Sequence, residues 1–302
     1  MHTFSTPGKT RVLIYNPNDT VDLVAEGDGT TTVELVARGP DADALVEEAT
    51  VTCAELNGVS VVTITLPGGR SFLKRRSGVD VQVAAPRDAD VIVSTTGTER
   101  SVLSLARGSG GDIRLRGEVG DVDVSLPSSD LTAQTILGSL NVKTASGDLT
   151  AGKVSGPVKV RTVSGDVDID QVADDVSLTV VSGDVSIASA ACHVDITSIS
   201  GDVTVTDARS GASVKSTSGD VTVRRAWSGS VRAATVSGDV IVGVPPGRGV
   251  SVDARSMSGD LTSEIDLGDR SGSDAGDGTV VKITAHSVSG DVEIQRAPAT
   301  VG

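Results

Sequence analysis

Aromatic residues are nearly missing from this chain. Phe4, Tyr15, Phe72 and Trp227 are the complete set in 302 residues. A large globular core takes much of its bulk from such rings. A thick interior is therefore excluded, and a thin one filled by Val, Ile, Leu and Ala is expected. Cysteine is as scarce: Cys53 and Cys192 cannot build a disulfide framework and have no CxxC spacing for zinc. They are expected as two buried free thiols. Positive charge is in deficit, with 26 Lys and Arg against 40 Asp and Glu for a net charge of −14. Phosphate recognition needs a basic stripe, so nucleic acid is a poor partner, and acidic lipid is disfavoured for the same reason.

Long apolar runs are also absent. No stretch approaches the roughly 20 residues that cross a bilayer as a helix, so no transmembrane segment is expected. Met1 to Thr20 is mostly polar and lacks the apolar centre of a signal peptide. A cytoplasmic location follows as the expectation, a surface or extracellular one requiring another export route. The histidines His2, His193 and His286 lie in no HExxH, and no GxSxG occurs. No catalytic residue and no bound cofactor is assigned.

What the chain has is a repeat, the first thing to seek in such a composition. Ser-Gly-Asp followed by Val or Leu recurs with its glycine at Gly147, Gly165, Gly183, Gly201, Gly219, Gly238, Gly259 and Gly290. The early copies are 18 residues apart; the later gaps are longer and read as insertions. After each turn alternate residues are aliphatic: Val167 and Ile169, Val185 and Ile187, Val203 and Val205, Val221 and Val223. A half-period of nine brings a second set: Val176 and Leu178, Val194 and Ile196, Ala212 and Val214. Such alternation marks strands with one face inward. Two short strands and two turns per coil predict an all-β, parallel β-solenoid with about 18-residue coils over 101–296. A polar Gly/Ser/Asp-rich segment at 266–278 is expected as a flexible insertion, and 297–302 as a frayed tail. Residues 1–100 depart from the repeat. Strand-like runs at 11–15, 31–37, 59–66, 79–84 and 90–94 predict a β cap, which a solenoid end needs to cover its exposed edges. Residues 41–48 suit either a short helix or a loop.

The SGDV turns with alternating valines over Leu103 to Ile294 resemble a bacterial β-strand-repeat family known as "putative adhesins", a domain of unknown function. The opening Phe4-Ser5-Thr6-Pro7 fits it, as does the run from Arg75-Arg76-Ser77-Gly78 to Ala85-Pro86. The resemblance implies a right-handed parallel solenoid without established catalytic residues, and its adhesin label implies surface display.

Three features are candidate sites. The Asp column (Asp148, Asp166, Asp184, Asp202, Asp220 and Asp239) places like charges about 4.8 Å apart, which repel by about 1 kcal/mol even in water. Either cations, calcium above all, bridge adjacent coils, or each Asp caps its own turn through backbone N–H groups, helped by the preceding Ser. The calcium β-roll consensus GGxGxDxUx is not present. Arg70, Lys74, Arg75 and Arg76 form a basic cluster that either docks an acidic partner or is a solvated loop. Trp227 stands where the repeat otherwise has Ala173, Ala191 and Arg209, either as a surface anchor or as cover for the edge of a coil. The functional expectation is a non-enzymatic scaffold for protein–protein contact or self-association. An adhesin-like or carbohydrate-binding protein is the alternative, and a polysaccharide-active enzyme is third.

Overall fold

Alternating aliphatic and polar residues become strands because each buries one face and solvates the other. The computed structural model describes residues 1–17, 19–40, 42–67, 77–95, 111–265 and 280–297. Two compact units divide the chain, one holding residues 1–156 and 160–163, the other 157–159 and 164–302. The basic cluster at Arg70, Lys74, Arg75 and Arg76, the segment 266–278 and residues 298–302 lie outside the described residues.

The first unit contains β1 (His2–Ser5), β2 (Thr10–Tyr15), β3 (Val21–Gly27), β4 (Thr30–Arg38), α1 (Ala42–Glu48), β5 (Thr50–Leu56), β6 (Val59–Thr65), β7 (Gly78–Pro86) and β8 (Asp90–Ser94). It continues through β9 (Ile113–Val119), β10 (Val122–Ser128), β11 (Leu131–Ile136), β12 (Leu140–Ser146) and β13 (Leu149–Val154). One sheet has the order β1-β4-β7-β3-β9-β11-β13, the other β5-β6-β2-β8-β10-β12. Within the first hundred residues, β2, β3, β6, β7 and β8 are parallel coil strands rather than cover. Cover comes from β4, antiparallel to β7, from β1 on β4, and from β5, antiparallel to β6. α1 takes the helical alternative for 42–48, packs on β4 and β7, and buries Ala42.

Strand β14 (Val158–Ser164) falls partly in each unit. The second unit then contains β15 (Val167–Val172), β16 (Val176–Ser182), β17 (Val185–Ala190), β18 (Val194–Ser200), β19 (Val203–Ala208), β20 (Gly211–Lys215), β21 (Val221–Ala226), β22 (Ser230–Ser237) and β23 (Val240–Val244). It ends with β24 (Gly249–Ser258), β25 (Leu261–Ser263), β26 (Val280–Ser289) and β27 (Val292–Arg296). Strands 18 residues apart pair in parallel, as the period predicts: Val167 faces Val185, Val185 faces Val203 and Val203 faces Val221. The inward residues read from the repeat, among them Ile169, Ile187, Val205, Leu178 and Ile196, are fully buried. The solenoid expectation is met in each unit.

The order of coils departs from simple succession. In the second unit the sheets run β15-β17-β19-β21-β23-β27-β25 and β16-β18-β20-β22-β26-β24. The last strand pair, β26 and β27, therefore sits inside the pair that precedes it in sequence. The Pro245–Arg248 connection carries the chain past one layer, which β26 and β27 later fill. The long gap before Gly259 holds this connection, and the longer one before Gly290 holds the segment 266–278, which lies outside the described residues. The first unit does the same at the other end of the chain. There β2 lies between β6 and β8, and β3 lies between β7 and β9.

One column of the interior is polar. Thr144, Thr162, Ser198, Ser216, Thr235 and Ser287 are buried just ahead of their turns. Several of these hydroxyls donate to turn carbonyls, as Ser287 does to Gly238 at 3.0 Å and Thr144 to Ser146 at 2.7 Å. Among the described residues the Ser198 and Ser216 hydroxyls are buried without a partner, and Val180 pairs with Ser198 in register.

Candidate functional site

The recurring turn positions its side chains through its glycine. In Gly183, Gly201, Gly219 and Gly238 φ lies between 121° and 138°, a region that side chains with a Cβ avoid. A Cβ on Gly201 would also collide with the Gly183 carbonyl oxygen of the adjacent coil. Glycine is thus required twice, by conformation and by the close approach of stacked turns. Adjacent coils are tied at this point, since Gly183 N–H donates to the Ser200 carbonyl at 3.1 Å and Gly201 N–H to that of Ser218 at 3.1 Å.

The next residue makes the ladder. In the second unit Asp184 N–H donates to Asp166 Oδ1 at 2.8 Å, and Asp202 N–H to Asp184 Oδ1 at 2.8 Å. Asp220 repeats the bond on Asp202 at 2.9 Å, and Asp239 on Asp220 at 2.8 Å. The ladder follows space rather than sequence beyond this point: Asp291 N–H reaches Asp239, and Asp260 N–H reaches Asp291, each at 2.8 Å. In the first unit Asp148 N–H donates to Asp130 Oδ1 at 2.9 Å. Each carboxylate thus caps the turn of the neighbouring coil, where the sequence predicts capping of its own turn. A charge-assisted bond to a backbone donor offsets the repulsion between like charges.

A second row, legible in the sequence, runs beside the ladder. The residue before each Ser of the turn is usually aliphatic and points outward. Ile199 is 50 %, Val236 50 %, Val288 44 % and Met257 84 % exposed; Val181 is half-buried and Thr217 exposed in the same row. Their sequence neighbours pair in register, Ser237 with Ser289 and Ser258 with Ser289, so Val236, Val288 and Met257 adjoin, while Thr217 parts them from Ile199 and Val181. Contiguous exposed aliphatic surface is uncommon on soluble domains and marks contact sites.

Trp227 is half-buried and tied down. Its Nε1 donates to Asp207 Oδ1 at 2.9 Å. Arg225 Nη2 donates to Asp207 Oδ2 at 2.7 Å, while its Nε lies 2.7 Å from Oδ1 without the alignment of a hydrogen bond. On the turn opposite the ladder, His193 N–H donates to Asp175 Oδ1 at 3.1 Å. Among the described residues, Asp174, Asp175 and Cys192 bring ligand-type atoms within 4.8 Å of one another. Both cysteines are free, as expected, but half-buried rather than buried.

The first unit holds a charged knot. Lys9 lies 2.8 Å from Asp90 and 3.2 Å from Asp88, and Arg11 lies 3.3 Å from Asp90. Burial pulls the Lys9 pKa down, but hydrogen bonds to both aspartates and their charges outweigh it, so it is raised. Asp121 N–H donates to Asp90 Oδ1 at 3.1 Å. Asp121 in turn accepts from the Ser139 N–H at 2.7 Å and the Ser139 hydroxyl at 2.8 Å. These bonds hold its carboxyl below the usual range. Among the described residues, no helix is long and apolar enough to cross a membrane.

The profile of the Toastrack DUF4097 family matches residues 50–295. No curated protein matches the chain. Three solved structures align along nearly its whole length. A putative adhesin from Bacteroides fragilis is 13% identical, with 97% of this chain and 95% of that one covered at a TM-score of 0.38. A putative cell adhesion protein from Clostridium sporogenes is 10% identical, with 96% and 93% covered at 0.23. A putative adhesin from Parabacteroides distasonis is 12% identical, with 97% and 95% covered at 0.28.

Proposed function

Because the chain belongs to the Toastrack DUF4097 family, a family without an assigned activity, we propose a function read from its surface: a non-enzymatic interaction scaffold. Its binding surface is the outward aliphatic row at Val181, Ile199, Val236, Val288 and Met257. The partner is a polypeptide segment that carries both apolar and basic side chains. The exposed aliphatic row carries this reading, since its burial against a partner is favourable at about 25 cal/mol per Å². The partner's charge follows from the neighbouring ladder. Asp184, Asp202, Asp220, Asp239 and Asp291 are exposed beside the row, and each has one carboxylate oxygen turned to a backbone donor. A stacked row of carboxylates attracts cations along its length and steers a basic segment onto the strip.

The test uses a synthetic peptide of alternating Lys and Leu, followed by fluorescence anisotropy with the full chain. Binding weakens as salt rises. The Ile199→Ser/Val236→Ser variant loses binding while keeping its melting temperature. Asp202→Asn/Asp220→Asn lowers both the affinity and its salt dependence. Binding left unchanged by the serine variant would remove the aliphatic row from the reading, and a peptide that does not bind would remove the reading altogether.

A further inference from the structure

The outer strands of the two units end differently. In the first unit antiparallel strands and α1 cover the last parallel coil. In the second unit the outermost strands, β24 and β25, have a neighbour on one side only among the described residues. Their inward side chains are left part-open. Leu261 pairs in register with Val292, yet Leu261 is 54 % exposed and Val292 is 1 % exposed. Val250, Val252 and Ala254 face inward and are half-buried. The ladder also ends here, since Asp260 donates to Asp291 as the final rung. A strand edge of this kind carries unpaired backbone groups and is a template for another strand.

We infer that this edge pairs with its own copy, β24 against β24 in antiparallel register about a two-fold axis at Ala254. The charge pattern of the strand selects this occupant. Asp253 and Arg255 point outward on the same face of β24 and hydrogen-bond each other along the strand at 3.0 and 3.2 Å. A two-fold axis at Ala254 sets Asp253 opposite Arg255 of the second copy, and Arg255 opposite its Asp253. Directly opposed unlike charges favour a strand pair, and like charges oppose it. A parallel, in-register second copy would instead set Asp253 on Asp253 and Arg255 on Arg255. The strand therefore accepts its copy in one orientation and rejects it in the other. On the inner face the same axis sets Ala254 on Ala254, Val252 on Ser256 and Val250 on Ser258, so the part-open inner face of β24 closes against β24 of the second copy. A two-fold contact is closed, so the assembly stops at a dimer. The contact does not use the aliphatic row, so it stands or falls separately from the proposed function.

The test is light scattering on the full chain across a concentration series, with circular dichroism to follow folding. The wild type is a dimer at the upper concentrations. Asp253→Arg or Arg255→Asp alone puts like charges opposite each other and weakens the dimer by about tenfold or more. The double variant Asp253→Arg/Arg255→Asp restores it. All three keep the wild-type circular dichroism spectrum and, at dilutions where every form is a monomer, its melting temperature, because both side chains are exposed. A second readout fixes the register. With Cys53 and Cys192 replaced by Ser, Ala254→Cys forms a disulfide with its own copy under mild oxidation, since opposed residues of antiparallel strands bring Cα atoms to about 4.5–5.5 Å. A monomer at every concentration overturns the inference. So do single variants that dimerise like the wild type, a double variant that does not recover, no Ala254→Cys cross-link, or growth beyond the dimer into filaments.

Discussion

Asp202 donates its backbone N–H to the carboxylate of Asp184, 18 residues earlier, at 2.8 Å. The residue that breaks the strand at one turn thereby anchors the turn above it, and the bond recurs along the second unit with nearly the same length. Charge and architecture are coupled by this contact. The carboxylates that give the chain its acidity are also the hydrogen-bond acceptors that hold successive turns in register.

Removing one acceptor isolates that contribution. Asp184→Ala leaves the Asp202 N–H without its partner and is expected to cost about 1–2 kcal/mol. That corresponds to roughly 2–8 °C in melting temperature for a chain of this size. Asp184→Asn keeps an oxygen acceptor, relieves repulsion from Asp166 and Asp202, and is expected to lose less. Thermal melts of the two variants side by side give the order.

Calcium, the cofactor considered for this column, is expected to leave the melting temperature unchanged, with or without a chelator. Oδ1 of each rung already faces a backbone N–H, whereas calcium takes six to eight oxygen ligands from a site that converges on it. A rise in melting temperature that saturates with calcium and reverses with chelator would contradict this.

Gly201→Ala tests the double requirement on the turn. The substitution places a Cβ at a φ of 121° and against the Gly183 carbonyl oxygen. A loss of about 3 kcal/mol or more is expected, above the typical single substitution. The neighbouring Ser200→Ala, at an exposed position, is the control and is expected to stay within about 0.5 kcal/mol of wild type.

Ser198 predicts the opposite sign. Its hydroxyl is buried without a partner among the described residues, and Val180 occupies the same column in the adjacent coil. An unsatisfied buried polar group costs about 1–3 kcal/mol. Ser198→Ala removes it and is expected to hold or raise the melting temperature. A clear fall would show that the hydroxyl is hydrogen-bonded in solution.

Acid should act partly through Asp121. Its two bonds from Ser139 lower its folded pKa relative to the unfolded chain. Stability from this source is complete above about pH 4, the ordinary carboxylate value, and is lost as pH falls through the lower folded pKa. Asp121→Asn is expected to melt earlier than wild type at neutral pH, with the difference narrowing below that range. Melts across pH 2–7 read the two curves.

The repeat alone carries the coil length, the inward columns and the parallel pairing, because an 18-residue period with alternating valines has few other solutions. It also raised N–H capping by the Asp column, though not that each carboxylate serves the neighbouring coil. The outward aliphatic row is legible as an aliphatic residue before most of the turn serines: the alternation that turns Val194, Ile196 and Ser198 inward turns Ile199 outward, onto a face where the pattern otherwise places polar residues. The order of the outer coils could not be read. Val292 and Leu261 are equally good partners for Val240 as hydrophobic strand residues, and which one lies nearer depends on a connection whose path no local pattern encodes. Trp227 was ambiguous for a similar reason: its Asp207 partner lies 20 residues away, and a column that also accepts Arg209 gives no sign of an indole hydrogen bond.

The inserted strand pairs constrain the way the chain is made. As the chain leaves the ribosome, β2 and β3 emerge ahead of their neighbours β6 to β9. These strands must therefore wait, unpaired or provisionally held, until the coils on both sides have been synthesised. At the other end β24 and β25 emerge before the pair that separates them from β22 and β23. They have an early opportunity to settle on the wrong neighbour, one layer too far in, and must yield that place when β26 and β27 arrive. Such rearrangement exposes strand edges for longer than simple coil-by-coil addition would. The completed ends are correspondingly hard to peel: releasing either terminal strand pair breaks ladders on two sides at once, where an outermost coil would break only one.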